Sequence, residues 1–236
     1  MSVHTVAILG FHKIGPIPPG GWQSWFYVSE PTFARCLTVL LDEGWTPIDI
    51  DQFLHGLRQP STLPERAALL TFDDGYASMC HVTLPVLEEL GIPAVLFVPT
   101  DYVGKHNSFD AGVEPDEPIC DWHDLRALAR GGVSIQSHAA SHRRLSELSI
   151  DERRRELADS KAILEKQLGT CVEAISFPYG DPGADDSHAM LAELGYKAAF
   201  LYGGGPVTMQ TADPYRLERI AMGPDTDLRV ALRRIA

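Results

Sequence analysis

Two adjacent carboxylates, Asp73 and Asp74, follow directly on a buried-looking apolar run in the segment Thr71-Phe72-Asp73-Asp74-Gly75-Tyr76. Aimed into a core they would be costly, and turned outward into a site they are cheap. On a regular strand, neighbouring side chains face opposite ways, so both can serve one centre only where the chain leaves the pleat, and Gly75 permits that turn. A plain polar turn with Asp74-Gly75 as its loop signal is the other reading of the same residues. His138 and His142 stand at i,i+4, a spacing that on a helical turn would place both imidazoles on one face, as a metal requires. With nine histidines in 236 residues the spacing alone is weak, and two solvated loop histidines would look the same. Further polar groups sit at the ends of apolar runs: His12 after the first, Asp73 and Asp74 after Phe72, His138 after Ser137, and Tyr179 shortly after Phe177. In a parallel β/α barrel the carboxyl ends of the strands open on one face, where residues remote in the chain become neighbours.

The elements that would position these groups alternate. Apolar runs bounded by turn residues occupy 5–11, 67–72, 92–98, 132–137, 172–177, 197–202 and 217–222, with a weaker one at 45–50. Helical patterns follow Ser29-Glu30-Pro31 over 31–43, Asp121 over 122–130 and Ser149 over 150–168, and Gly44, Gly91, Gly131, Gly169 and Gly195 mark helix ends. Seven or eight βα units predict an α/β fold in one domain spanning 1–236, its parallel sheet closed into a barrel or open and doubly wound. With 44% hydrophobic and 22% charged residues the chain is a folded globular one, not a disordered or collagen-like one. A net charge of −12 argues against nucleic acid and anionic membrane as partners. The four cysteines contain no C-x-x-C pair, which suits reduced thiols better than a disulfide framework or a zinc finger. No apolar stretch is long enough to span a membrane, and the first residues lack a secretory pattern. The expected compartment is the cytoplasm, or outside it if a leader has been removed.

Taken together, TFDDGY at 71–76, His138-Ala139-Ala140-Ser141-His142 and Ser176-Phe177-Pro178-Tyr179-Gly180 resemble the three motifs of the polysaccharide deacetylase family, the NodB-homology domain of carbohydrate esterase family 4. The likeness continues through Trp122-His123-Asp124-Leu125 and residues 194–200. It implies a distorted (β/α) barrel of seven or eight parallel strands. It also implies a divalent metal, zinc first and Co2+, Ni2+ or Mn2+ otherwise, held by Asp74, His138 and His142. Three N and O ligands with one position left for water is the pattern of a hydrolytic zinc centre. Asp73 would be the general base, and the backbone N–H of Tyr179 would help stabilise the tetrahedral oxyanion.

Two departures stand out. Many members carry an arginine two residues before the proline of motif three, to hold the catalytic aspartate; Ser176 stands here. The family's late L-x-H motif, which supplies the acid for the leaving amine, has no counterpart, because no histidine follows His188. The branch resembling poly-N-acetylglucosamine deacetylases has a permuted order with that histidine on an N-terminal strand, and His12 fits there. Trp122, Phe177 and Pro178 are candidate substrate contacts, with packing as the other reading for Trp122. The Gly/Pro-rich loop 13–29, with Trp22, Trp25, Phe26 and Tyr27, is expected near the barrel mouth, against sugar or against the body. The acidic stretch 100–120 reads as a solvated loop that could also favour a substrate turning cationic, and 151–161 as a solvated helix face. The implied reaction is hydrolysis of an N-acetyl group on an amino sugar or glycan. The alternatives are hydrolysis of a small amide or cyclic imide by the same centre, and a non-catalytic carbohydrate-binding relative.

Overall fold

The structure, a computed structural model, describes residues 3–183 and 187–233. β1 (Thr5–Phe11) is buried along its whole length, as befits a strand covered on both faces. It leads through β2 (Lys13–Ile14) and β3 (Tyr27–Val28) to α1 (Glu30–Asp42), β4 (Thr46–Pro47) and α2 (Ile50–Arg58). Then come β5 (Arg66–Phe72), α3 (Leu84–Leu90), β6 (Ala94–Val98), α4 (Trp122–Arg130), β7 (Val133–Ser137), α5 (Ile150–Leu168) and β8 (Ala174–Ser176). The chain continues with α6 (Ser187–Glu193), β9 (Ala198–Phe200), β10 (Val207–Thr208), β11 (Ile220–Ala221) and α7 (Leu228–Leu232).

The main sheet runs β10-β1-β5-β6-β7-β8-β9, with β4 on β5 and β11 on β1. Apart from the antiparallel β10, its pairings are parallel. The sheet is curled. Phe97 of β6 and Phe200 of β9 bring their rings to 5.3 Å although β7 and β8 lie between them in the strand order. Its open side is spanned by residues 217–221: Leu217 bridges Phe200, and Ile220 pairs with Leu9. The expected α/β barrel of seven or eight parallel strands is therefore present as a curled, incomplete barrel in one domain, with a seven-strand path that includes the antiparallel β10.

The period of two sorts the side chains. Val6, Ile8, Ala67, Leu69, Val95 and Phe97 join one buried cluster, which Phe53 of α2 also enters. Their neighbours Ala7, Leu9, Leu70, Phe72, Leu96 and Val98 join the other, under α1, α4 and α5. Helix starts are set by side chains: Ser29 caps α1, and the pairs Asp49/Gln52, Asp121/Asp124 and Ser149/Glu152 form capping boxes on α2, α4 and α5. No helix among the described residues is long and apolar enough to cross a membrane.

Candidate active site

β5 ends at Phe72, and the chain then leaves the pleat through two left-handed residues, Asp74 (φ 72°) and Gly75 (φ 74°). A side chain at Gly75 would be strained in that conformation and tight against Val98. The turn carries both carboxylates into one cavity of about 360 Å3, lined by His12, Asp73, Asp74, His138, His142 and Tyr179 among others.

Asp73 is almost fully buried and held by Arg219, whose Nη1 and Nη2 donate to its two oxygens at 2.9 and 2.7 Å. The Ser176 hydroxyl donates to the same carboxylate at 3.1 Å and accepts from Arg219 at 2.8 Å. Arg219 is anchored in turn by the Leu201 carbonyl and the Thr71 hydroxyl. Burial pushes the Asp73 pKa up, but the Arg219 guanidinium, joined by the nearby His138 and His12, holds the carboxyl below its ordinary range. The arginine absent at position 176 is thus replaced in space by one from the segment that spans the open side of the sheet.

His138 follows β7, and its Nδ1 donates to the Ser176 carbonyl at 2.7 Å, which turns Nε2 toward the cavity. The i,i+4 pair does not lie on a helical turn. Ala139 (φ 60°) and His142 (φ 57°) are left-handed, and this looped path swings both rings onto Asp74. Among the described residues the non-glycine positions with positive φ are Asp74, Ala139, His142 and Tyr179, so the strained backbone is confined to the three motifs. Glu156 of α5 holds the loop by accepting the N–H groups of Ala140 and Ser141 at 2.9 and 2.8 Å. The supposed solvated face of α5 is therefore a scaffold at this point; Arg153, Leu157 and Ser160 are buried beside it.

The Nε2 atoms of His138 and His142 lie 3.3 and 3.2 Å from Asp74 Oδ1, yet that oxygen has no partner in hydrogen-bonding geometry among the described residues. Such an orphaned oxygen facing two ring nitrogens is what a cation would satisfy, and the donor set O, N, N suits zinc and its neighbours. Burial raises the Asp74 pKa, but the close approach of the two histidine rings carries it well below the usual value. Burial likewise lowers that of His138, and Asp73 and Asp74 more than offset it, so it stands raised.

His12, at the end of β1, lines the same cavity; its Nδ1 is 3.4 Å from the Tyr202 hydroxyl and its ring 4.6 Å from that of Phe26. Burial lowers its pKa, against the pull of Asp74 and Asp73. Tyr179 (φ 58°) stands at the rim with Arg144 stacked 4.2 Å over its ring. Phe177 lines the cavity, whereas Pro178 is buried and is not among its lining residues.

Trp122 is not at the cleft. It opens α4 half-buried and packs on the helix-side core, because the helix start turns it inward. The loop 13–29 does reach the mouth: Phe26 lines it, and Trp25 packs on Phe26 and Tyr202. The acidic stretch is only partly solvated. Asp110 and Glu114 line the cavity, and Glu114 is buried in an ion pair with Lys13 at 2.9 Å. Burial, then the nearby Asp74, pushes the Asp110 pKa up to about 6.

Residues 61–199 match the family model described as polysaccharide deacetylase. YxkH of Bacillus subtilis, named for the same family, is 26% identical over 201 residues, which cover 84% of this chain and 66% of that one. The poly-beta-1,6-N-acetyl-D-glucosamine N-deacetylase of Staphylococcus aureus is 24% identical over 212 residues, covering 85% and 69%. This chain spans between 16% and 69% of the length of such curated relatives. The solved structure of the Streptococcus pyogenes deacetylase PplD superposes with a TM-score of 0.84 at 23% identity, covering 98% of this chain and 99% of that one, a likeness of fold. Since the matched model takes in all three motifs and more than half the residues, the chain belongs to the polysaccharide deacetylase family.

Proposed function

We propose that the chain is a divalent-metal-dependent hydrolase that removes N-acetyl groups from N-acetylated amino sugars, with β-1,6-linked N-acetylglucosamine chains as the leading substrate class. The observation that carries this is a single cavity in which a guanidinium-held carboxylate, Asp73, adjoins a carboxylate and two imidazoles with converging donor atoms. The names of the Staphylococcus aureus and Escherichia coli relatives supply the sugar.

Asp74, His138 and His142 would hold the ion. Bound there, it supplies a Lewis acid and a water acidified toward a pKa of about 7. Asp73, kept ionised and aimed by Arg219 and Ser176, takes a proton from the attacking water. The backbone N–H of Tyr179 shares the charge that gathers on the acetyl oxygen. His12 then gives a proton to the leaving nitrogen, the C–N bond breaks, and acetate and a free amine result.

The test is acetate release from β-1,6- and β-1,4-linked N-acetylglucosamine oligomers, beside a panel of cyclic imides, with chelated and zinc-restored protein. Acetate should appear fastest from the β-1,6 series and vanish on chelation. Asp73→Asn should cut turnover by about 10²–10⁴. Hydrolysis of imides without acetate release, or an Asp73→Asn protein as active as the parent, refutes the reading.

A further inference from the structure

A second cluster of metal-ligating side chains lies away from this cavity. Cys80 sits in the turn Met79–Thr83 ahead of α3, Cys120 directly precedes the Asp121 cap of α4, and Asp124 stands in the first turn of that helix. Forty positions separate the cysteines, yet their Sγ atoms are 3.9 Å apart. Both sulfurs and a carboxylate oxygen of Asp124 lie within 4.8 Å of one another. None of the three residues lines the active-site cavity.

The separation is informative. A disulfide needs about 2.05 Å between its sulfurs. Two thiolates on one tetrahedral ion, each bonded at about 2.3 Å, stand about 3.8 Å apart. The third donor is only partly committed: the Asp124 Oδ2 accepts the Asp121 N–H in the capping box, and Oδ1 lies 3.9 Å from Nδ1 of the exposed His123. Cys120 is buried and Cys80 half-buried, which leaves one side open.

We propose that Cys80, Cys120 and Asp124 form a second site, for a thiophilic divalent ion of the zinc class, with water in the fourth position. The ion ties the start of α4 to the turn after Asp74, because the Cys120 N–H donates to the Gly75 carbonyl at 2.8 Å and its thiol lies against the Tyr76 carbonyl.

The test uses the full chain in a Cys171→Ser background, which removes the exposed thiol, stripped by chelator and titrated with Co2+ or Cd2+ under reducing conditions. A thiolate-to-metal charge-transfer band should rise to saturation with one ion per chain, beside a second ion that gives no such band. Asp74→Asn should remove the second ion and keep the band; Cys80→Ser should do the reverse. Should Cys80→Ser unfold by circular dichroism, Asp124→Asn, which leaves both thiols in place, should weaken the band-forming ion 10-fold or more. Folded protein that takes up metal with no thiolate band overturns the proposal, as does recovery of Cys80 and Cys120 as a disulfide under those conditions. A band with one ion only, unmoved by Asp74→Asn, upholds this site and instead sinks the reading of the catalytic cluster.

Discussion

Arg219 decides the state of Asp73. It is fully buried, and its two-pronged grip leaves the base ionised in surroundings that would otherwise protonate it. Arg219→Lys keeps the charge and loses the fork. We expect kcat/KM to fall about 10- to 100-fold, the equivalent of the ~1.5–3 kcal/mol in hydrogen bonds to a charged group. The acid limb of the pH profile should also move to higher pH as the Asp73 pKa climbs; an unmoved limb would contradict this role. Asp110 behaves in the opposite sense. Its folded pKa of about 6 lies above the unfolded value of 3.8, so the fold prefers the protonated acid and loses stability as pH rises between the two, a loss that persists above about 6. Asp110→Asn should therefore melt at the same temperature as the parent near pH 4 and above it at pH 7, in chelated protein. A cation beside Asp74 should shrink the gap. Asp73, Asp74, His138 and His142 were legible from the first two motifs. Arg219 was not, since 146 positions separate it from Asp73, although a lone arginine inside the apolar run 217–222 was the signal that could have found it.

Among the elements, α1, α4 and α5 were legible to within a residue because their caps and terminal glycines are local signals. α2 was not singled out: the run at 45–50 ends at its first residue, after a strand of only two residues, Thr46–Pro47. The histidine pair was found by a spacing that belongs to a helix and is realised by left-handed turns, which periodicity cannot read. That loop depends on another element. Glu156 reaches from α5 to two of its backbone N–H groups, and sequence reading gave it only a solvent-facing role. Glu156→Gln retains the length and loses one acceptor and the charge, so the loop loosens while α5 survives. Competition with a chelator should show metal affinity at the Asp74 cluster falling about 10- to 100-fold, as for other outer contacts to ligand loops. Unaltered affinity would mean that the loop is held without α5.

At the scale of the molecule, curling the sheet is what makes one site of groups spread from position 12 to position 219. The ends of β1, β5, β7 and β8 converge, and the last spanning segment inserts the guanidinium from the other side. The same closure buries Asp74 against two ring nitrogens with an oxygen left unsatisfied, a cost the fold carries until a cation enters. Binding should therefore appear as stability of the whole domain. For an ion that binds the folded chain alone, a concentration 100 times Kd contributes about 2.7 kcal/mol. At about 2–4 °C per kcal/mol for a domain of this size, zinc should raise the melting temperature of chelated protein by about 5–10 °C. Measured in Cys80→Ser protein, the shift reports the Asp74 cluster alone, and a further Asp74→Asn should abolish it. A melting temperature indifferent to zinc in the Cys80→Ser protein would show that the closed sheet does not assemble these three side chains into a metal site.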